Sequence, residues 1–181
     1  KRTCKPENPG TAIVRGERRE TRVVKALTYI DKVALLNICG AQMIGRPGVA
    51  KAIFSALADN EVNVMMISQG SSEANISLII DENQLAVATE SLSPLVKEGL
   101  VREVSSNRDV CAVAVVGVGM AGAKGTGGRI FTALGDGGVN VMMISQGSSE
   151  VNISFVVREA DGPRAVRILH DEFSLSEEDN G

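Results

Sequence analysis

Apolar and polar positions along this chain fall into one order of elements and then into the same order again. Val23–Ile30 has the composition of a strand, and Asp31-Lys32 reads as a turn. Lys32–Cys39 is then a buried strand, followed by the loop Gly40–Arg46. Pro47 suits a first helical turn, where the N–H it lacks would go unbonded anyway. Val49, Ile53 and Leu57, with Ala50 and Phe54, share one helical face, and that pattern stops at Asp59-Asn60. Val62–Ser68 and Ala74–Ile80 predict a hairpin around the loop Gln69–Glu73. A second helix starts near Asp81-Glu82 and is expected to break at Ser93, because Pro94 cannot donate inside it. Val101–Val104 closes the unit as a fourth strand. In the second round, strands are expected at Val110–Val118, Val139–Ser145 and Val151–Val157, and helices at about Gly125–Leu134 and Gly162–Phe173.

The echo is literal in places. Asn63–Ser77 returns as Asn140–Ser154 with one change, Ala74 to Val151, at an offset of 77 residues (140 − 63 = 77). Upstream and without a gap, Val33 aligns with Val110, Gly40 with Gly117, Met43 with Met120, and Ile53-Phe54 with Ile130-Phe131. Two copies are too few for a solenoid, so the chain reads as a pseudo-symmetric pair of small domains. The order β-α-β-β-α-β is the split-βαβ, ferredoxin-like arrangement of the α+β class, with helices on one face of an antiparallel sheet. The second copy runs out after its second helix, so its fourth strand must come from elsewhere. Val23–Ile30 is the spare segment, expected to complete the second sheet and interlock the domains. The expected organisation is a linker at 1–22, the donated strand at 23–31, a first domain at 32–108, a second at 109–173 and a polar tail at 174–181.

Composition narrows the function classes. With 181 residues, 44% hydrophobic and 23% charged at a net charge of −3, this is expected to be a soluble protein and no polyanion binder. Apolar runs such as Val110–Val118 are too short to span a membrane. The basic stretch Arg15–Arg22 is interleaved with Glu17 and Glu20 and reads as a solvated linker, not a nucleic-acid arm. One Tyr, four Phe and no Trp leave no platform for stacking bases. Cys4, Cys39 and Cys111 are odd in number and far apart, which fits a reducing, cytoplasmic setting. With a single histidine, His170, no metal site is expected. The serines at 71, 72, 148 and 149 have no Gly-x-Ser-x-Gly elbow, so no catalytic residues are expected.

Gly117-Val-Gly119-Met-Ala-Gly122 matches the dinucleotide fingerprint after a strand. Its counterpart Gly40–Gly45 lacks the middle glycine, and the next strand ends in polar Gln146-Gly-Ser-Ser rather than in an acidic residue, so an oxidoreductase fragment is the weaker reading. The duplicated loops suit a smaller ligand. Gly45, Gly48 and Val49, and likewise Gly122, Gly125 and Thr126, sit at helix starts, where free N–H groups and the helix dipole favour a carboxylate. Asn63, Val64 and Met65, with Asn140, Val141 and Met142, open the second strand, expected beside that helix start with carbonyls for an ammonium group. Gln69 and Gln146 supply amides, followed by Glu73 and Glu150 and by Asn75 and Asn152. Such a set suits an amino acid. The same asparagines and glutamines also read as turn caps and hairpin tips, and exposed sheet edges as an assembly module that binds no ligand.

Ile67-Ser-Gln-Gly-Ser-Ser-Glu73, its copy Ile144–Glu150 and the opening Lys5-Pro-Glu-Asn-Pro-Gly-Thr11 resemble the paired ACT domains at the C-terminal end of aspartate kinase. That resemblance implies a regulatory fragment without cofactors of its own, the ATP and Mg²⁺ sites lying in a catalytic domain upstream. It also implies an end-product amino acid as effector, contact with the kinase domain of the same protein, a homodimer of ACT sheets and one ACT unit inserted within the other. Lysine-sensing relatives place an aspartate where Met65 and Met142 stand here, whereas threonine-sensing relatives contact the effector through a glutamine matching Gln69 and Gln146. Threonine is therefore the expected effector and lysine the alternative.

Overall fold

A computed structural model describes residues 22–175, so the expected linker and most of the expected tail lie outside the described residues. The elements run β1 (Ala26–Ile30), β2 (Val33–Cys39), α1 (Val49–Ala58), β3 (Val64–Gln69), β4 (Asn75–Asp81), α2 (Leu85–Lys97) and β5 (Glu103–Asn107). They continue as β6 (Cys111–Val116), α3 (Thr126–Asp136), β7 (Met143–Gln146), β8 (Asn152–Val157) and α4 (Gly162–Glu172). Two four-stranded antiparallel sheets result, ordered β3-β4-β2-β5 and β1-β6-β8-β7. Each is a ferredoxin-like unit, and the second is completed by the N-terminal strand, as the missing-strand argument required.

The exchange is reciprocal. β1 and β5 are themselves 77 residues apart at both ends (103 − 26 = 77; 107 − 30 = 77). Their registers correspond as well: Ala26 faces Val116 and Glu103 faces Cys39, positions again 77 apart (116 − 39 = 77). Each repeat is thus β-β-α-β-β-α, and each gives its first strand to the other's sheet. The chain crosses between sheets at Asp31-Lys32 and at Arg108–Val110.

Period-2 burial in the strands and period-3.6 burial in the helices build the two cores. Ala34, Leu36 and Ile38 of β2 and Ile76, Leu78 and Ile80 of β4 meet Val49, Ile53 and Leu57 of α1 and Leu85, Ala88 and Leu92 of α2. Cys111, Val113 and Val115, with Ile153, Phe155 and Val157, do the same in the second domain. A third cluster joins the helix-free faces of the two sheets: Val33, Met66 and Ile79 meet Val110, Met143 and Val156. Each residue is the repeat counterpart of one across the contact (110 − 33 = 77; 143 − 66 = 77; 156 − 79 = 77). This is the isologous contact of a two-fold dimer, made within one chain.

Element ends depart from the expected boundaries for one recurring reason. Each helix closes with a residue at positive φ followed by an apolar residue whose N–H reaches back five positions, the Schellman geometry. Glu61 and Val62, Gly99 and Leu100, Gly138 and Val139, and Ser174 and Leu175 play these parts. Val62 and Val139 are therefore helix closures, and β3 and β7 begin later than their apolar runs. Leu100 and Val101 are likewise drawn in under α2, so β5 is the polar stretch after them. The break expected at Ser93 does not occur: α2 runs through Pro94 to Lys97. An interior proline costs about 3 kcal/mol, but Glu90 and Pro94 face solvent, where water reaches the freed carbonyl. Burying Leu92 is worth roughly 1.5–3 kcal/mol, and Leu95 and Val96 add to it by packing on the core.

The fingerprint-like glycines have a steric role. A Cβ on Gly117 would collide with the Val23 carbonyl, and one on Gly119 would lie 2.6 Å from the Arg22 carbonyl, because the lead-in to β1 crosses this loop. Gly40, the counterpart of Gly117, accommodates the lead-in to β5 in the same way, 2.7 Å from the Arg102 amide. Backbone occupies the space that a pyrophosphate would need, and the dinucleotide reading is set aside. Replacing Gly117 with Ala is expected to loosen β1 at a cost of about 1–3 kcal/mol, seen as faster hydrogen exchange at the Lys25 amide, which donates to Val116 O at 2.8 Å.

Cys111 lies at the heart of the second core, its Sγ 3.6 Å from the Arg158 carbonyl. Burial, followed by the carboxylates of Glu159, Asp161 and Asp31, pushes its thiol from 9.0 up to about 11. The unfolded chain therefore loses this proton first as pH rises. Stability from this residue is expected to be complete below about pH 9 and to be lost as pH rises toward about 11. Urea titrations across that window should show a slope that Cys111→Ala reduces.

Candidate functional site

The end of β2 passes through a short 3-10 turn, Ala41–Met43, into a loop in which Gly45 (φ 64) and Gly48 (φ 88) take left-handed conformations. Gly48 is the N-cap of α1 and no side chain caps it, so the first-turn N–H groups of α1 face outward. Across the loop stands the β3–β4 hairpin. Its tip is a turn closed by Glu73 N donating to Gly70 O at 2.9 Å, with Glu73 at φ 55. Between loop and hairpin lies a cavity of about 320 Å³ with Met43 and Ile76 among its apolar lining and Gln69, Glu73 and Arg46 among its polar lining.

This arrangement gathers part of the expected set. Gly45, Gly48, Val49, Gln69 and Glu73 all line the cavity. The loop N–H groups are not all free, however: Gly45 N already donates to the Glu73 carboxylate at 2.9 Å. Gly122 N makes the same bond to Glu150 at 2.7 Å in the second domain. A carboxylate of the chain itself thus takes one loop N–H that was assigned to a ligand, and it ties hairpin to loop in both domains, while the first turn of α1 has no side-chain cap.

The opening of the second strand lies elsewhere. β3 runs antiparallel to β4, so Gln69, not Asn63, stands beside the start of α1. Asn63 lies six residues away along the strand, roughly 20 Å at the usual rise. Its N–H donates to Gln84 Oε1 at 3.1 Å, and Gln84 in turn donates to Glu61 O at 2.9 Å. Val64 packs on the first core, and Val141 on the second. Met65 borders a separate cavity between the two sheets. The topology puts Asn140 and Met142 in corresponding positions at the start of the β7 segment, both exposed. Asn75 and Asn152 open β4 and β8, with Asn75 Oδ1 close against Gly70. The expected neighbourhood of helix start and strand start is therefore corrected: within one chain the two lie at opposite ends of the sheet.

Arg46 was not foreseen as a site residue, although a cation among loop glycines at a helix start was a usable signal. Its counterpart is Ala123 (123 − 46 = 77), while Lys124 takes the place of Pro47 (124 − 47 = 77). In the second loop Gly122 and Gly125 keep left-handed conformations, and Thr126 Oγ1 donates to Ala123 O at 3.2 Å. The two loops share a backbone and differ in charge placement.

The chain matches the ACT domain family over residues 36–94 and again over residues 113–173. The chain belongs to the ACT-domain family. Its ACT pair is 39% identical over 176 residues to bifunctional aspartokinase/homoserine dehydrogenase 1, chloroplastic, of Zea mays, covering 93% of this chain and 19% of the relative. The fold is similar to that in the crystal structure of aspartokinase alpha and beta subunits, with 30% identity and a TM-score of 0.76 over 84% of this chain and 99% of the other. It is also similar to the regulatory subunit of aspartate kinase from Thermus thermophilus in its ligand-free form, with 28% identity and a TM-score of 0.75 over 84% and 99%. The ACT pair spans about a fifth of the length of the maize relative and nearly all of the two solved chains. Among the described residues no helix is long and apolar enough to cross a membrane.

If the glutamate staple holds the loop of the first ACT domain, Glu73→Ala is expected to cost about 1 kcal/mol locally. Amide exchange at Gly45 should then accelerate, while Glu73→Gln, which keeps an acceptor oxygen, should restore most of the protection.

Proposed function

We propose that this chain is the effector-sensing region of an aspartate kinase and that its first ACT domain binds threonine. The observation that carries this reading is the cavity at the start of α1, where a cation, a carboxylate, an amide and uncapped helix N–H groups border one space. A zwitterion uses all of them. Its carboxylate is drawn to Arg46 and the helix start, its ammonium to Glu73, and a side-chain hydroxyl to the Gln69 amide. Lysine has two ammonium groups, and among the described residues Glu73 is the one carboxylate lining this cavity. A second ammonium would be desolvated without a partner, which is costly.

The kinase chemistry, with its ATP and Mg²⁺, is assigned in this proposal to the rest of the longer protein, consistent with the share of the maize relative that the chain covers. Threonine acts there by preferring one relative arrangement of ACT units and kinase domain, which shifts the activity by its difference in affinity for the two states. A homodimer fits the apolar side chains left exposed on the edge strands, Ile67 on β3 and Ile144 on β7.

Calorimetry tests the effector. Threonine is expected to give saturable heat and lysine none, and Gln69→Ala should weaken threonine about tenfold, the worth of one well-made hydrogen bond. Arg46→Ala should weaken it further. Heat with lysine alone would overturn the effector assignment, and unchanged affinity in both variants would remove the site from the first loop.

A further inference from the structure

The second cavity, about 140 Å³, lies between the helix-free faces of the two sheets. Its floor is the second sheet, where two rows cross the strands in register: Ile30 beside Ala112, and Thr28 beside Ala114 and Ser154. Its roof comes from the first sheet, through Met65, Met66 and Ile79. It breaks the internal symmetry. Ala112 and Ala114 correspond to Leu35 and Asn37 (112 − 35 = 77; 114 − 37 = 77). At the symmetric position Leu35 packs into the contact between the sheets, and Asn37 accepts a hydrogen bond from Ser77 Oγ at 3.2 Å. One half of the contact is filled by side chains, and the other is hollowed by two alanines on a central strand.

We propose that this hollow is a binding site for a compact, uncharged, branched aliphatic molecule bearing one hydroxyl-type polar group. A closely similar volume, about 150 Å³ with an aliphatic and aromatic lining, stays dry and takes up benzene, so a molecule of that size fits. Among the described residues the lining carries no ionisable side chain, and the hydroxyls of Thr28 and Ser154 are its side-chain hydrogen-bonding groups. A charged ligand would be desolvated without a partner there. Methionines are flexible enough to close over such a guest, and Met65 and Ile30, both partly exposed, form the mouth. The guest would touch the first domain, the second domain and the exchanged strand at once, and so favour one relative placement of the three. This site is separate from the α1 cavity and independent of the threonine assignment.

Isobutanol is the probe and isobutyrate its charged control, each titrated into the full chain while methyl signals are followed by NMR. Isobutanol is expected to shift Met65, Met66, Ala112 and Ala114 saturably in the millimolar range and to leave Met43 and Ile76 unmoved. Isobutyrate should shift none of them. Ala112→Leu, which reinstates the residue found at position 35, should abolish the response without lowering thermal stability. Unsaturable shifts, equal shifts in Ala112→Leu, or an equal response to isobutyrate would overturn the proposal. So would methyl shifts that depend on protein concentration alone, which would assign the hollow to a second copy of the chain.

Discussion

The organisation of this chain depends on the backbone pairing of β1 with β6 and of β5 with β2, each strand leaving its own repeat to complete the other's sheet. Without the exchange each sheet would have three strands, and the central strands β2 and β6 would each present an open ladder. With it, two short crossings bring the helix-free faces together, and those faces then bury Val33, Ile79, Val110 and Val156 against one another. The glycines at 40 and 117 follow from the same constraint, since an incoming strand can reach the end of its host only where the host carries no side chain.

Internal symmetry gives two loops of the same shape, and the residues placed on that shape separate their roles. Gly45 and Gly122 have the same backbone and the same glutamate bond. Arg46 against Ala123 and Pro47 against Lys124 then give the two loops different electrostatics. The contact between sheets repeats the theme with leucine and asparagine on one side and two alanines on the other. In both places a duplicated scaffold holds position while side chains diversify what the position can accept.

Much of this was legible in the residues. The alternation of Ala34, Leu36 and Ile38 and the spacing of Val49, Ile53 and Leu57 announce a strand and a helix, and the missing last strand called for a donor. The place of β5 as fourth strand of the first sheet was legible from Val101–Val104, but its equivalence to β1 was not, because Ala-Leu-Thr-Tyr-Ile and Glu-Val-Ser-Ser-Asn share no residue at any aligned position. Pro94 misled because local chemistry was weighed without the burial of Leu92 and Leu95. The misplacement of Asn63 came from strand direction: sequence proximity to the repeated motif says nothing about which end of a strand meets the helix. Gln69 and Glu73 were found because the motif copies them, and Arg46 was passed over because the second repeat does not.

The crossing at Asp31-Lys32 also shapes how the chain reaches its fold. Two strand-like segments joined by only two residues can also pair with each other locally. Here that hairpin is the wrong product. The partner of Tyr29 is Val113, 84 residues later (113 − 29 = 84), so at synthesis rates of roughly 5–20 residues per second β1 waits about 4–17 s for it. During that interval the nearest competitor is β2, a few residues away. Rapid capture of β2 by β4 and α1 would leave β1 unpaired and available, which makes the order of assembly, and not only its end point, part of what this duplicated chain encodes.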